Sequence, residues 1–432
     1  MKNDIKTLMD EGSMSKLQYG TVLICFLMNI LDGMDVLVIS YCAPAISKAW
    51  NIGPEALGMV FSSGLTGMTV GALFMAPLAD FMGRKRMILL SAILMGTSIF
   101  ITAWADSLSQ LIVLRFVSGI GIGSMLASTA SLTAEFVPNK SRDFWVSFVI
   151  AGYPVGAVLS GVVAAYVVPE MGWEAMFKLA GLASFVTLPL IVWFLSESVD
   201  FYLSRQPVGA LQKVNQILRK MGQEEIQVLP EKATKRNGIP FGKLLETEYR
   251  ISTLQLWTAL FLAFGCLYFL TSWIPKLAET TGLSLSLAIY AGTIFNVGAF
   301  FGIISQGYLS SLMGLKKTIS IFLVGTAILM VAFQWFIGTD WILLLFALLG
   351  FGIQGGFVGL YAVAARMYPT EFRTTGLGWA IGMGRLGGII GPAVGGILIG
   401  MGLMIDVTFM IYAVPIFLAG VFTYKLSSKS VS

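Results

Sequence analysis

The sequence predicts an all-α, polytopic membrane protein whose twelve transmembrane helices form two pseudo-symmetric six-helix bundles. Composition is the first reason: of 432 residues, 56% are hydrophobic and only 12% charged, with a mean hydropathy of +0.82. That is about half the usual charged share, and no soluble domain hides so much apolar surface. The second reason is that the apolar residues gather into twelve stretches, each close to the roughly 20 residues a membrane-crossing helix needs. The third is a repeat. Gly83-Arg84-Lys85-Arg86 recurs 231 positions later as Gly314-Leu315-Lys316-Lys317, Pro138 with Arg142 recurs as Pro369 with Arg373, and Trp104 recurs as Trp335. Independent loops do not keep one offset across three landmarks, so the halves read as a duplicated unit. Two like halves in one apolar chain suggest a transporter.

Residues 1–17 are a polar N-terminal segment with acidic residues and no small-residue cleavage site after an apolar core, so no removable signal peptide is expected. The first bundle, 18–202, holds spans near 18–42, 55–78, 87–104, 109–132, 144–167 and 175–196. A polar linker, 203–250, carries nine basic residues. The second bundle, 251–425, holds spans near 252–275, 286–310, 318–337, 341–365, 375–400 and 405–425, before a tail at 426–432. With both termini inside, 23 of the 28 basic residues are cytoplasmic, Lys48, Lys178 and Lys276 are outside, and Arg115 and Arg385 lie within the membrane. Because positive loops stay on the cytoplasmic side, both termini and the linker are expected in the cytoplasm of a bacterium whose inner membrane holds the chain. The net charge of +5 is then a topology signal, and nucleic acid is not an expected partner.

Histidine is absent, which excludes imidazole proton relays, Ser-His triads and His-based metal sites. Cys25, Cys42 and Cys266 lack metal-type spacing and read as small hydrophobes in packing. No metal or cofactor is expected, and proton chemistry falls to carboxylates.

Ionisable residues inside spans are costly and default to function. In the first span Asp32 and Asp35 stand at i and i+3, on one helix face, roughly 20 Å from the cytoplasmic end. A competing reading makes Asp32-Gly33 a helix break with Asp32 as a cap. Arg115 enters the fourth span at similar depth, and a buried arginine needs an anionic partner. Two carboxylates facing one arginine leave one free to exchange a proton; the bland alternative is a permanent structural ion pair. Arg385 lies about 15 Å into the eleventh span, with no acid in the neighbouring second-half spans. Its planar fork suits an anionic substrate. Pairing with a first-half aspartate, or helix packing by the surrounding glycines, are the other readings. Around it the second half supplies Phe264, Tyr268, Phe269, Trp273, Phe295, Tyr361 and Trp379, with Asn296 and Gln354 among them. Aromatic faces, amides and an arginine suit a ring bearing a carboxylate and a hydroxyl, although most aromatics in spans face lipid. Tyr268, Asn296, Gln354, Tyr361, Trp379 and Arg385 are the expected substrate contacts.

Between the second and third spans, Asp80, Gly83, Arg84 and Arg86 share one loop, where Gly83 permits a tight turn and Asp80 can cap a helix or pair with an arginine. Glu135 and Arg142 make a second charged cluster on the same face. Such clusters can hold one conformation closed and release it in another.

These residues carry a resemblance. Gly71 followed by Asp80-x-x-Gly83-Arg84-Lys85-Arg86 resembles the signature loop of the major facilitator superfamily, and Arg115-Phe-Val-Ser-Gly119-Ile-Gly121 its span-four motif. Asp32-Gly33-Met34-Asp35, the string from Tyr368 to Trp379 that includes Arg373, and Gly384-Arg385-Leu386-Gly387 with Gly391-Pro392 are similar to those of the aromatic acid:proton symporters, the permeases for benzoate, 4-hydroxybenzoate and protocatechuate. The resemblance implies the major facilitator fold and proton-coupled uptake by alternating access at the interface of the two halves. It also implies that Asp32, Asp35, Asp80, Arg115, Glu135, Arg373 and Arg385 are functional positions. One departure stands out: the second-half copy of the loop has Ser311 where an aspartate is expected. The expected partners are a small organic anion, protons and the lipid bilayer, with the chain acting as a monomer. Nicotinate, muconate or a sugar acid are the alternative cargoes. A membrane sensor is the alternative class, although the polar segments are too short for a signalling domain, and no nucleophile constellation marks an enzyme.

Overall fold

The computed structural model describes residues 14–230, 244–247, 249–339, 341–368 and 373–426; of residues 143, 373 and 374 it describes the backbone alone. Twelve described helices are long and apolar enough to cross a membrane: Lys16–Trp50, Pro54–Met82, Arg84–Thr102, Leu108–Phe136, Phe144–Met171, Trp173–Phe194, Arg250–Thr280, Leu285–Met313, Leu315–Trp335, Ile342–Met367, Thr375–Gly400 and Ile405–Lys425. No strand occurs among the described residues. Away from their ends, helices satisfy backbone N–H and C=O groups within their own segment, as a solvent without water requires.

All twelve expected spans are present, but several helices outrun the apolar stretch that announces them. The first continues past residue 42 to Trp50 and stops at Asn51, whose φ of 50° is left-handed. Hydropathy marks the part in hydrocarbon, whereas the hydrogen-bond ladder continues until a cap or turn ends it. Ser107 supplies such a cap by accepting from the Gln110 N–H, and Ser284 by accepting from that of Leu287. The second span departs from the uninterrupted helix expected of it. Its α-helix ends at Val70 and is followed by a π-helical turn over Gly71–Met75 and a 3-10 turn over Ala76–Leu78. Pro77 lacks an N–H to give, and Gly71 lies against the Ile120 carbonyl so closely that a Cβ would strike it. Two linker helices follow the sixth span, Val199–Arg205 and Ala210–Met221.

The duplication is visible in how helices touch. In the first half Gly67 packs on the Phe116 carbonyl, Gly71 on that of Ile120 and Gly156 on that of Ile30. Shifting both members of each pair by 231 gives Gly298 on Ala347, Gly302 on Phe351 and Gly387 on Phe261, the contacts of the second half. At each crossing the missing side chain lets two helix backbones meet, the usual means of packing where lipid removes the hydrophobic drive.

The described residues cluster into two compact units. One lies within Met1–Val36, Thr66–Ala157 and Phe177–Arg236, the other within Leu37–Leu65, Val158–Met176 and Asn237–Ser432. The second unit therefore includes first-half segments, tied to second-half helices by neutral hydrogen bonds. Ser40 Oγ donates to the Thr271 and Ser272 carbonyls at 2.9 and 2.8 Å, and Ser62 Oγ to the Ile389 carbonyl at 2.7 Å. Trp273 Nε1 donates to the Pro392 carbonyl at 3.0 Å, and its ring meets Phe61 edge-on at 5.3 Å.

Candidate functional site

The first unit buries three charged side chains in its spans: Asp32 and Asp35 are each 1% exposed and Arg115 is 2% exposed. Arg115 Nη2 donates to Thr102 Oγ1 at 3.4 Å, and its guanidinium carbon stands 5.1 Å from the centre of the Phe177 ring. Asp35 feels Arg115 as an attracting charge and Asp32 as a repelling one. No hydrogen-bond donor among the described residues reaches either carboxylate oxygen of Asp35. The helix passes unbroken through Gly33, so Asp32 caps no helix start. Gly33 has a different reason to be glycine, since a Cβ there would strike the Tyr153 carbonyl of the fifth span. One turn before Asp32, Asn29 Nδ2 donates to the Cys25 carbonyl at 2.9 Å and to Thr129 Oγ1 at 3.0 Å, joining the first span to the fourth. Sequence reading passed over Asn29, because a neutral amide raises no alarm in an apolar run.

The second unit sets an arginine among aromatic rings. Gly384 and Gly388 flank Arg385 and lie against Phe264 and Tyr268, where a Cβ at either would crowd a ring. Arg385 and Tyr268 are the titratable neighbours that act on Tyr361. The rings form a connected cluster: Phe264 lies 6.0 Å from Tyr268 and 4.6 Å from Phe357, which meets Tyr361 edge-on at 5.2 Å. Gln354 is half-buried and shares the helix face of Phe357 and Tyr361 by its i+3 and i+7 spacing. Trp379, 45% exposed, stacks with Trp257 at 6.2 Å. Asn296 has other company. Its Nδ2 donates to the Gly292 carbonyl at 2.9 Å, and with Thr293 it hydrogen-bonds the buried Tyr41 hydroxyl. Phe269, Trp273 and Phe295 are fully buried packing residues.

A charged network closes over the signature loop in the first unit. Arg84 Nη2 lies 2.8 Å from Asp80 Oδ1 and 3.0 Å from Glu135 Oε1. Glu197 Oε1 accepts the backbone N–H groups of Arg84, Lys85 and Ser198 at 2.7, 3.2 and 2.9 Å, an anion at a helix N-terminus. Gly83 turns the chain with φ 100°, and a Cβ there would also collide with the Glu197 carboxylate. Glu197 lies 113 residues from Arg84, and no local pattern announced it. Arg205 Nε donates to the Asp80 carbonyl at 2.8 Å, and its guanidinium carbon stands 4.1 Å from the centre of the Phe81 ring. Arg86 is exposed and acts on Tyr202, while Arg142 is half-buried and its Nε finds no hydrogen-bond acceptor among the described residues. The side chain of Arg373, like residues 369–372, lies outside the described residues. Among the described residues no three side chains of metal-ligating type converge.

Comparison with known proteins gives a consistent result. The chain matches the Major Facilitator Superfamily over residues 25–306 and 256–431. It is 30% identical to the 4-hydroxybenzoate transporter PcaK of Acinetobacter baylyi, over 92% of this chain and 88% of that protein. It is likewise 30% identical to the gallate transporter of Pseudomonas putida, over 96% and 93%. The crystal structure of a D-xylose-proton symporter superposes with a TM-score of 0.75 at 18% identity, covering 95% of this chain and 98% of that one, a likeness of fold.

Proposed function

Since this chain belongs to the Major Facilitator Superfamily and is a membrane transporter, not an enzyme, we propose that it imports a small aromatic carboxylate together with protons across the inner membrane by alternating access. The observation that carries this reading is the placing of Arg385 beside Tyr361 and Tyr268 within the ring cluster of the second unit. A guanidinium takes a carboxylate in a two-pronged fork, ring faces take the ring, and tyrosine hydroxyls or the Gln354 amide can meet a ring hydroxyl. The cargoes that name the two relatives, 4-hydroxybenzoate and gallate, are hydroxylated aromatic carboxylates and support the same class here.

Proton coupling is assigned to Asp32 and Asp35 with Arg115. An anionic Asp35 without a donor is expensive to keep desolvated, and one arginine shared by two carboxylates leaves room for a proton to come and go. The lopsided charge count supports cytoplasmic termini. The chain works as a monomer in this reading, driven by the proton gradient without a cofactor.

Proteoliposomes test it. Labelled hydroxylated benzoates should accumulate when the outside is made acidic, and not without the gradient. Neutralising the coupling acid, by Asp32→Asn or Asp35→Asn, should abolish gradient-driven accumulation and spare exchange of internal for external substrate, which moves no net proton. Accumulation retained by both variants would move the proton path elsewhere, with Glu135 next to test. Uptake of muconate or a sugar acid in preference to every ring acid would overturn the substrate class.

A further inference from the structure

Beside the signature loop, on the first unit, lies a cavity of about 230 Å³ whose walls include Lys85, Lys213, Lys220, Tyr202, Trp193 and Glu197. Its chemistry is cationic. Lys85 Nζ donates to the Val192 carbonyl at 2.8 Å, and Lys213 Nζ stands 5.6 Å from the centre of the Tyr202 ring. Lys85 and Lys220 are close enough to repel one another, with Glu197 as the attracting charge. That carboxylate is already committed to three backbone N–H groups. Among the described residues no acid comes within ion-pairing distance of Lys213 or Lys220. Three lysines thus line one cavity, and the one carboxylate among its described walls, Glu197, is already occupied.

The linker helix Ala210–Met221 holds two of these lysines in place. It buries Ala210, Val214, Ile217, Leu218 and Met221, which leaves Lys213 and Lys220, two turns apart, on another face. The opposite wall is the last turn of the sixth span, where Trp193 is 75% exposed. An exposed tryptophan at the end of a membrane helix marks the headgroup level. A cavity there, lined by repelling cations and large enough for several waters at about 30 Å³ each, is a place for an anion with several acceptor oxygens.

We infer that this cavity binds a phosphate-bearing anion, held by Lys85, Lys213 and Lys220. Ammonium groups serve phosphate as point charges, and basic pockets at this level of a membrane suit anionic lipid headgroups. Occupancy would relieve the Lys85–Lys220 repulsion and so brace the N-terminus of the third span. The inference stands apart from the transport reading.

The full chain, purified in neutral detergent, is unfolded thermally with three probes: phosphatidylglycerol, phosphatidylcholine, and inorganic phosphate against chloride at matched ionic strength. Phosphatidylglycerol should raise the midpoint by roughly 3 °C over phosphatidylcholine in a saturable way. Lys213→Gln with Lys220→Gln should remove at least half of that rise, and the paired Lys→Arg changes should keep it. A lysine-dependent rise with inorganic phosphate alone would support the site and identify soluble phosphate as its source. If the double variant does not fold, Lys213→Gln alone, at an exposed position, gives the same comparison. Equal responses of wild type and variant to phosphatidylglycerol and to inorganic phosphate would overturn the inference.

Discussion

Arg115 and Arg385 are both arginines within spans, yet their surroundings assign them different work. Arg115 is sealed in, with Thr102 and Phe177 around it and the charge of Asp35 within reach. Arg385 is half-buried, acts on the Tyr361 hydroxyl, and sits between glycines that lie against Phe264 and Tyr268. Arg385→Ala should therefore weaken substrate binding roughly 30-fold or more, the effect of losing about 2 kcal/mol from a charge-assisted contact. Arg385→Lys should recover only part, because an ammonium keeps the charge and loses the fork. Equilibrium binding to the folded variants decides it, and unchanged affinity in Arg385→Ala would remove the arginine from the substrate. At this scale the sequence was most legible where a charge interrupts an apolar run, as Asp32, Asp35, Arg115 and Arg385 do. It was silent where the signal is a partner far along the chain, as for Glu197, or a side chain that looks like any other, as for Phe357 and Asn29. Asn296 illustrates the remaining difficulty. Its depth was readable, but the direction of its amide, toward Tyr41, was not.

At the scale of elements, the twelve spans were legible because a membrane demands length and apolarity together, while their ends and the irregular turn at Gly71–Met75 were not. The repeat offset was legible in loops and proved to govern helix contacts as well. It also poses a sharp comparison. Gly83 and Gly314 occupy equivalent turns with φ of 100° and 88°, so alanine at either costs backbone strain of about 1–3 kcal/mol. Only at Gly83 would the new Cβ meet a neighbour, Glu197. Gly83→Ala should accordingly lower the unfolding midpoint by more than Gly314→Ala, and thermal unfolding of the two variants checks the order. Equal losses would mean that Glu197 yields freely.

Across the whole molecule the duplicated halves have not kept equal chemistry. The first-half loop joins Asp80, Arg84, Glu135 and Glu197 in one network, whereas at the matching second-half position Ser311 donates to the Tyr308 carbonyl of its own helix. We assign the network to gating. Asp80 is 64% exposed and Glu135 only 15%, and an exposed ion pair contributes little. Glu135→Gln should then slow initial uptake roughly tenfold, Asp80→Asn should slow it less, and both should leave equilibrium binding almost unchanged. Binding and uptake measured on the same preparations separate these outcomes; lost binding with normal cycling would contradict gating. The hydroxyl-to-carbonyl bonds of Ser40 and Ser62 carry a different consequence. Dissolved ions screen separated charges over about 10 Å at 0.1 M and have little hold on buried neutral dipoles. Ionic strength therefore reaches the exposed Asp80 arm of the arginine network and passes over the serine bonds, so a rise in salt would loosen one latch of the carrier while the serine clasp kept its grip.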